Sequence, residues 1–348
     1  MPVSIIVGAQ YGSEGKGKVA LEWARRHRAA AAVRIGGPNS GHTVIWNDEP
    51  VIFKQLPTSI LLPETLAILP PGAYINVRIL LEELTRSAVD SSKVVIDPRA
   101  AVVTDADIAE EISSGLTNRI GSTASGTGAA VARRVRRDGS LTRASDVPEL
   151  QEFLGDTLPL LHDISSSQRV VIEGTQGYGL SVLHGMEGDF ATSRDTTAAG
   201  FLSETGLSPL VVDEIVLVAR AYPIRVAGRS GSLSGETSWQ VLGERIGRPE
   251  LIERTTVTHR VRRVGEFDPE IVKRAIYANQ PTHLVLNHVD YVTSFDSQES
   301  TSRVANFLER VEESIGRRVD FVGFDDRSLV GRDRVDDEVS AKVMPRSS

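Results

Sequence analysis

Short runs of β-branched residues punctuate the whole chain, at 3–7, 93–97, 169–173, 214–219, 283–287 and 319–323. Each is too short for a helix yet apolar enough to be buried on both faces, as the strands of a parallel sheet are. Stretches with helical spacing lie between several of them, for example at 79–85 and 269–278. This alternation predicts an α/β fold with a mostly parallel central sheet and functional loops at the carboxyl ends of its strands. No internal repeat or low-complexity segment interrupts the pattern. The stretches 121–128 and 227–235 are glycine-rich but short and flanked by arginine, so they are read as ligand loops within one domain spanning 1–348.

Charge and composition then remove several functions. Lys and Arg total 39 against 46 Asp and Glu, a net charge of -7, whereas a general nucleic-acid binder carries a basic surplus. Cysteine is absent, which excludes disulfides, thiolate metal sites and a cysteine nucleophile. The first ten residues, MPVSIIVGAQ, lack a basic start and a long apolar core, and no uncharged apolar run reaches the ~18 residues of a membrane span. A cytoplasmic protein without nucleic-acid or membrane partners is expected.

The first strand runs into Gly8-Ala-Gln-Tyr-Gly12-Ser13-Glu14-Gly15-Lys16-Gly17-Lys18, and Gly12 to Lys18 fits the G-x-x-x-x-G-K part of a P-loop. Glycines let backbone N–H groups approach phosphate oxygens, a helix predicted over 19–28 offers its positive end, and Lys16 and Lys18 add charge. Val19 stands where an ordinary P-loop has a magnesium-binding Ser or Thr. Any magnesium triphosphate must therefore be held in another way.

Together with Gly36-Gly37-Pro38-Asn39-Ser40-Gly41-His42-Thr43, this loop resembles the two N-terminal signatures of the adenylosuccinate synthetase family. Matching segments continue to about residue 326, in a compact version of the family pattern. The resemblance implies a homodimeric ligase that uses Mg2+, a nucleoside triphosphate, a purine nucleoside monophosphate and L-aspartate. Its chemistry is phosphorylation of the purine C6 oxygen followed by displacement of phosphate by the aspartate amine. Lys16 and His42 then take catalytic roles, and Gly12, Gly15, Lys16, Gly17 and Lys18 hold the triphosphate. Asn39 belongs with the monophosphate, and the carbonyl of Gly41 with magnesium. Unaided by its signature, His42 between glycine and threonine would be read as structural.

Further loops extend the resemblance. Residues 120–128, with Ser122 and Thr123, are similar to the loop that holds the monophosphate. Arg133, in Val131-Ala132-Arg133-Arg134, implies an arginine reaching into the other subunit's site. Read alone, Arg133, Arg134, Arg136 and Arg137 are a solvated basic face. Gln176 in 173–177 and Thr192 in 192–199 match positions that meet the purine and its 5'-phosphate. Thr258, Arg260 and Arg262 match an aspartate loop, whose guanidinium forks suit a dicarboxylate, with His259 in place of a glycine. Asn287 and Asp290 match the element that reads the triphosphate base, and Gly323 begins the loop that closes over it. His288 replaces that element's lysine, which points away from GTP and toward ATP or dATP.

Ser13 is the departure. It stands where the family has an aspartate that takes the N1 proton and touches magnesium, and a serine hydroxyl is no base at neutral pH. One reading is a dead enzyme. The other is an altered acceptor: a small neutral residue opens space for the 2-amino group of guanine, as in phage enzymes that carry dGMP toward 2-aminoadenine, and the location would then be the host cytoplasm. The favoured expectation is a ligase condensing aspartate with C6 of dGMP. The rivals are an ordinary synthetase using IMP and GTP, and a purine nucleotide sensor that binds without turnover.

Overall fold

The computed structural model describes residues 2–255, 259–297 and 299–343. Among them a nine-stranded sheet forms the centre, in the spatial order Val330–Gly331, Phe321–Val322, His283–Asn287, Val212–Arg220, Val3–Gly8 (β1), Val170–Glu173, Ala31–Arg34 (β2), Leu66–Leu69, Val94–Ile96. Eight of these strands run parallel, and only Val330–Gly331 pairs antiparallel.

Both faces are covered, which is why the strands read as unbroken apolar runs. Ile6 of β1 packs with Val19 and Trp23 of helix α1 (Lys16–Arg26), while its neighbours Ile5 and Val7 pack on the opposite side with Phe201, Leu161 and Ile271. Burying each such side chain contributes ~1.5–3 kcal/mol, so register in β1 is fixed from two sides.

The six expected strands are all present, with 319–323 shortened to Phe321–Val322. β2 (AAVR) and Leu66–Leu69 (LAIL) escape sequence reading because they are four residues long and dominated by alanine or leucine, which have less strand preference than β-branched residues. The hairpin of β3 (His42–Trp46) and β4 (Glu49–Phe53) stands apart from the central sheet. The helices over 79–85 and 269–278 extend to Val77–Ser87 (α2) and Pro269–Asn279. α1 begins at Lys16, three residues earlier than the spacing predicts, so the glycine-lysine segment is itself the first helical turn. The chain then adds α3 (Asp105–Ser113), α4 (Leu116–Ile120) and α5 (Thr127–Arg136), with α5 packed on the separate parallel pair Tyr74–Ile75 and Ala101–Val102.

Five of the segments singled out as functional leave the carboxyl end of a central strand or follow closely after one, whereas 121–126 joins α4 to α5, Arg133 lies within α5, and 192–197 precedes the helix Ala198–Thr205. The loop 9–15 leaves β1, 36–41 leaves β2, 174–176 follows Val170–Glu173, His288 follows His283–Asn287, and Gly323 follows Phe321–Val322. Strand order reverses around β1, and the crevice at such a point is where parallel sheets bind ligands. No helix among the described residues is long and apolar enough to cross a membrane.

Candidate active site

The phosphate loop is organised from within by Glu14. Its carboxylate is fully buried, accepts from the N–H groups of Gln10 (3.1 Å) and Gly12 (2.8 Å), and pairs with Lys16 Nζ at 2.5 Å. Gly12, Ser13 and Gly15 have φ of 91, 57 and 84°, the left-handed conformation that turns successive N–H groups inward. Asn287 Nδ2 donates to Glu14 O at 2.7 Å and braces the loop from behind. Gly17 lets α1 press against β3: a Cβ there would lie 2.7 Å from His42 Cβ.

His42 sits in a buried ionic cluster built by two neighbouring strand ends. Arg34 and Glu173 are register partners in the sheet, and both face the imidazole. His42 Nδ1 lies 2.5 Å from Glu173 Oε1, Arg34 Nη1 lies 2.7 and 3.2 Å from the two ring nitrogens, and Glu173 Oε2 accepts from Thr58 N and Oγ1, both at 2.8 Å. Burial and the Arg34 charge push the histidine down to about 4. It is therefore neutral, and the arrangement favours the tautomer with Nδ1–H donating to Glu173 and Nε2 accepting from Arg34. Burial works against the Glu173 carboxylate, yet His42, Arg34 and Thr58 together hold it below its ordinary range.

A second cluster lies on the other flank of β1. Arg220, fully buried and register partner of Asn287, donates to Ser13 O at 3.0 Å and pairs with Glu253 at 2.5 Å. Tyr291 Oη also donates to Glu253, at 2.9 Å. Burial opposes the Glu253 charge, but Arg220 holds that carboxyl at about 2. Arg262 donates to Ser13 Oγ, so the serine hydroxyl is an acceptor for a guanidinium. His288, at the cleft wall, is lowered well below its ordinary value by burial and by Arg220, and is neutral.

These clusters floor a cavity of about 380 Å³, and a second of about 280 Å³ continues it. Gly12, Ser13, Gly15, Lys16, Gly17, Gly41, His42 and Arg262 line the first; Ser122 and Thr192 line the second; Asn39, Thr123 and Gln176 line both. Asn39 Oδ1 and Gln176 Oε1 have no hydrogen-bond partner among the described residues, the state of groups awaiting a ligand. A larger, shallow depression over α2, lined by Val77, Arg78 and Glu82, brings together none of these groups.

Other expected site residues lie outside this cleft. Lys18 donates to Asp325 O at 2.5 Å and Ser328 O at 3.1 Å, and burial lowers it to about 8. Gly323 packs against Lys18 and Asn287. Asp290 pairs with Arg248 at 3.2 Å and is raised to about 6 by burial. Arg260 is exposed and does not line the cleft, and Thr258 lies outside the described residues. Arg133 is not part of a solvated face: its guanidinium pairs with Asp107 at 2.7 Å and donates to Val102 O and Ser140 O within the same chain. Arg134 is likewise tied, to Pro71 O and Arg99 O, whereas Arg136 and Arg137 are exposed.

Glu14, Arg34, Glu173, Arg220 and Glu253 carry the electrostatics, yet none was assigned a role from the sequence. A signal existed for three of them. A charged residue closing an apolar run, as in AAVR, VVIE and VLVAR, sits where a buried strand reaches a site.

The sequence profile of the adenylosuccinate synthetase family matches residues 5–149 and 142–303. The adenylosuccinate synthetase of Methanococcus vannielii is 35% identical over 337 residues, covering 92% of this chain and 96% of its own. That of Archaeoglobus fulgidus is 32% identical over 323 residues, covering 90% and 93%. Among solved structures, cyanophage S-2L succinoaminodeoxyadenylate synthetase bound to dGMP and dATP superimposes with a TM-score of 0.84 at 29% identity, over 99% of each chain. Fully ligated adenylosuccinate synthetase from Plasmodium falciparum gives 0.83 at 18% identity over 95% and 100%, which speaks to the fold.

Proposed function

Because this chain belongs to the adenylosuccinate synthetase family of C–N bond-forming ligases, we propose that it condenses L-aspartate with C6 of dGMP at the expense of ATP or dATP. The carrying observation is Ser13. Where the resemblance expects a carboxylate, a smaller, neutral hydroxyl lines the cleft and accepts from Arg262, so this position brings less bulk and no negative charge to the base edge. The likeness to the cyanophage enzyme with dGMP supports the same reading. The archaeal relatives favour the second reading, an ordinary synthetase acting on IMP with GTP.

In the proposed reaction N1 of dGMP gives up its proton to solvent water as O6 attacks the γ-phosphorus, and the nucleoside diphosphate leaves. The aspartate amine then attacks C6, the bond from C6 to the phosphorylated oxygen breaks, and inorganic phosphate departs. Lys16 exchanges Glu14 for the triphosphate. Neutral His42 gains proton affinity as the anionic phosphoryl group approaches, so that Nε2 exchanges its contact with Arg34 for a proton from solvent and turns to the phosphoryl oxygens, with Glu173 placed to hold the imidazolium. Arg262 is the fork for an aspartate carboxylate, and Ser13 orients it. Gln176 and Asn39 meet the purine nucleotide, with Ser122, Thr123 and Thr192 at its phosphate end.

Magnesium fits this site as an ion carried by the phosphates. The two groups expected to bind it, Ser13 and the Gly41 carbonyl, offer neutral oxygens, and that of Ser13 is engaged by Arg262. When bound it would neutralise charge on the triphosphate. Asp290 pairs with Arg248 through Oδ2 while its Oδ1 has no partner among the described residues, and it is His288 in the lysine position that supports an adenine donor.

The test is aspartate-dependent phosphate release with dGMP or IMP, each paired with ATP, dATP or GTP. Release with dGMP and an adenine nucleotide is expected. Release confined to IMP with GTP would establish the second reading, and nucleotide binding with no release from any pair would favour a sensor.

A further inference from the structure

The second cavity ends on a carboxylate that neither the phosphate loop nor the two ionic clusters use. Glu111 of α3, only 5% exposed, reaches across to the N-terminus of α5. Its Oε2 accepts from Gly126 N at 2.8 Å, and its Oε1 from Gly128 N at 2.6 Å and Ala129 N at 3.4 Å. One turn earlier on the same face of α3, Asp107 pairs with Arg133 of α5. α3 thus clasps α5 at two points, and the Glu111 clasp engages three of the N–H groups, those of Gly126, Gly128 and Ala129, that a free helix N-terminus offers to an anion.

Around this carboxylate the cavity presents hydroxyls from Ser122, Thr123 and Thr192, with Arg225 as its cation. Arg225 is itself committed, donating to Ser230 O and pairing with Glu187 at 3.3 Å. Past the hydroxyls the cavity therefore ends on a buried negative charge where an open helix N-terminus would otherwise stand, and the guanidinium of Arg225 is held by partners of its own.

We propose that Glu111 is a specificity-determining residue that limits the acceptor to a monophosphate, by occupying with its own carboxylate the helix end where a β-phosphate would bind. A first phosphate is served by the hydroxyls. A second one is driven toward like charge in a partly desolvated space, a juxtaposition that selects against it more than against the monophosphate. This rests on the reading of the cleft as a purine monophosphate site.

The experiment compares, at saturating triphosphate, KM for the monophosphate acceptor with Ki for its diphosphate as a competitor against that acceptor. It is run on the unsubstituted protein, Glu111→Gln and Glu111→Ala, with folding checked by thermal midpoint. Turnover of the unsubstituted protein first fixes the acceptor as dGMP or IMP, so failure of the proposed function is seen there. The matching pair, dGDP with dGMP or IDP with IMP, is then used. The diphosphate should bind the unsubstituted protein at least about tenfold more weakly, and both substitutions should narrow that ratio several-fold. Equal binding of both nucleotides by the unsubstituted protein overturns the proposal without any variant. A folded variant that loses both nucleotides equally, with the ratio unchanged, reduces Glu111 to a structural clasp and also overturns it.

Discussion

Replacing Glu173 by glutamine separates the catalytic reading of His42 from a purely structural one. The carboxylate makes four contacts inside the protein, with His42, Arg34 and twice with Thr58, and Arg34 is only 2% exposed. Glu173→Gln keeps the shape but leaves the Arg34 charge without its counter-ion, a loss of about 3–5 kcal/mol for a buried pair broken on one side. A chain of 348 residues has an unfolding entropy of about 0.7 kcal/mol/K, so the thermal midpoint should fall by about 4–7 °C. The amide also cannot hold an imidazolium, and kcat should fall by about 10²–10⁴-fold, the range for a lost acid-base contribution. Calorimetry and phosphate release at saturating substrates read the two effects separately. His42→Asn leaves the Arg34 and Glu173 pair intact, so it should lose comparable activity with a smaller shift of midpoint. A Glu173→Gln protein that melts lower but turns over at the parent rate would refute the catalytic reading of this cluster.

The same cluster sets a pH dependence. His42 is lowered from 6.5 to about 4, so between those values the unfolded chain binds a proton that the folded chain does not. Its contribution is complete above 6.5, and acidification to 4 should remove about 3 kcal/mol, an amount that His42→Asn should largely abolish in a midpoint-versus-pH series. Ser13→Asp refills the space beside the base edge and competes for Arg262; kcat/KM for dGMP should fall by about 5- to 150-fold, the effect of one steric group in a pocket, and unchanged dGMP use would defeat the space argument. ATP or dATP should support turnover at least as well as GTP, which strict GTP dependence would contradict. Arg133→Ala should be nearly inactive yet recover partly when mixed with His42→Ala. No recovery despite proven subunit exchange would confine Arg133 to its contact with Asp107.

Sequence and structure agree best where chemistry and backbone demand the same residues. The β1 run, the glycine-lysine loop and the 36–43 signature were legible because glycine, lysine and apolar strand residues each have a narrow physical meaning there. β2 and Leu66–Leu69 were not, because short alanine- and leucine-rich strands are fixed by the neighbours they pair with. The ionic clusters were hidden for a related reason: Arg34 lies 139 residues from Glu173, and Arg220 lies 33 from Glu253. Only the sheet register and the loops it carries bring them together. Arg133 shows the opposite failure, since a run of arginines looks solvated until Asp107 is seen across from it on α3.

The central claim, that dGMP is the acceptor and its O6 the atom activated, is tested most directly by mass spectrometry of a reaction containing dGMP labelled with ¹⁸O at position 6, L-aspartate and dATP. A product equal in mass to dGMP plus aspartate less water, with the label recovered in inorganic phosphate, is the predicted result. Absence of that adduct from dGMP, together with the corresponding adduct from IMP, would contradict the account.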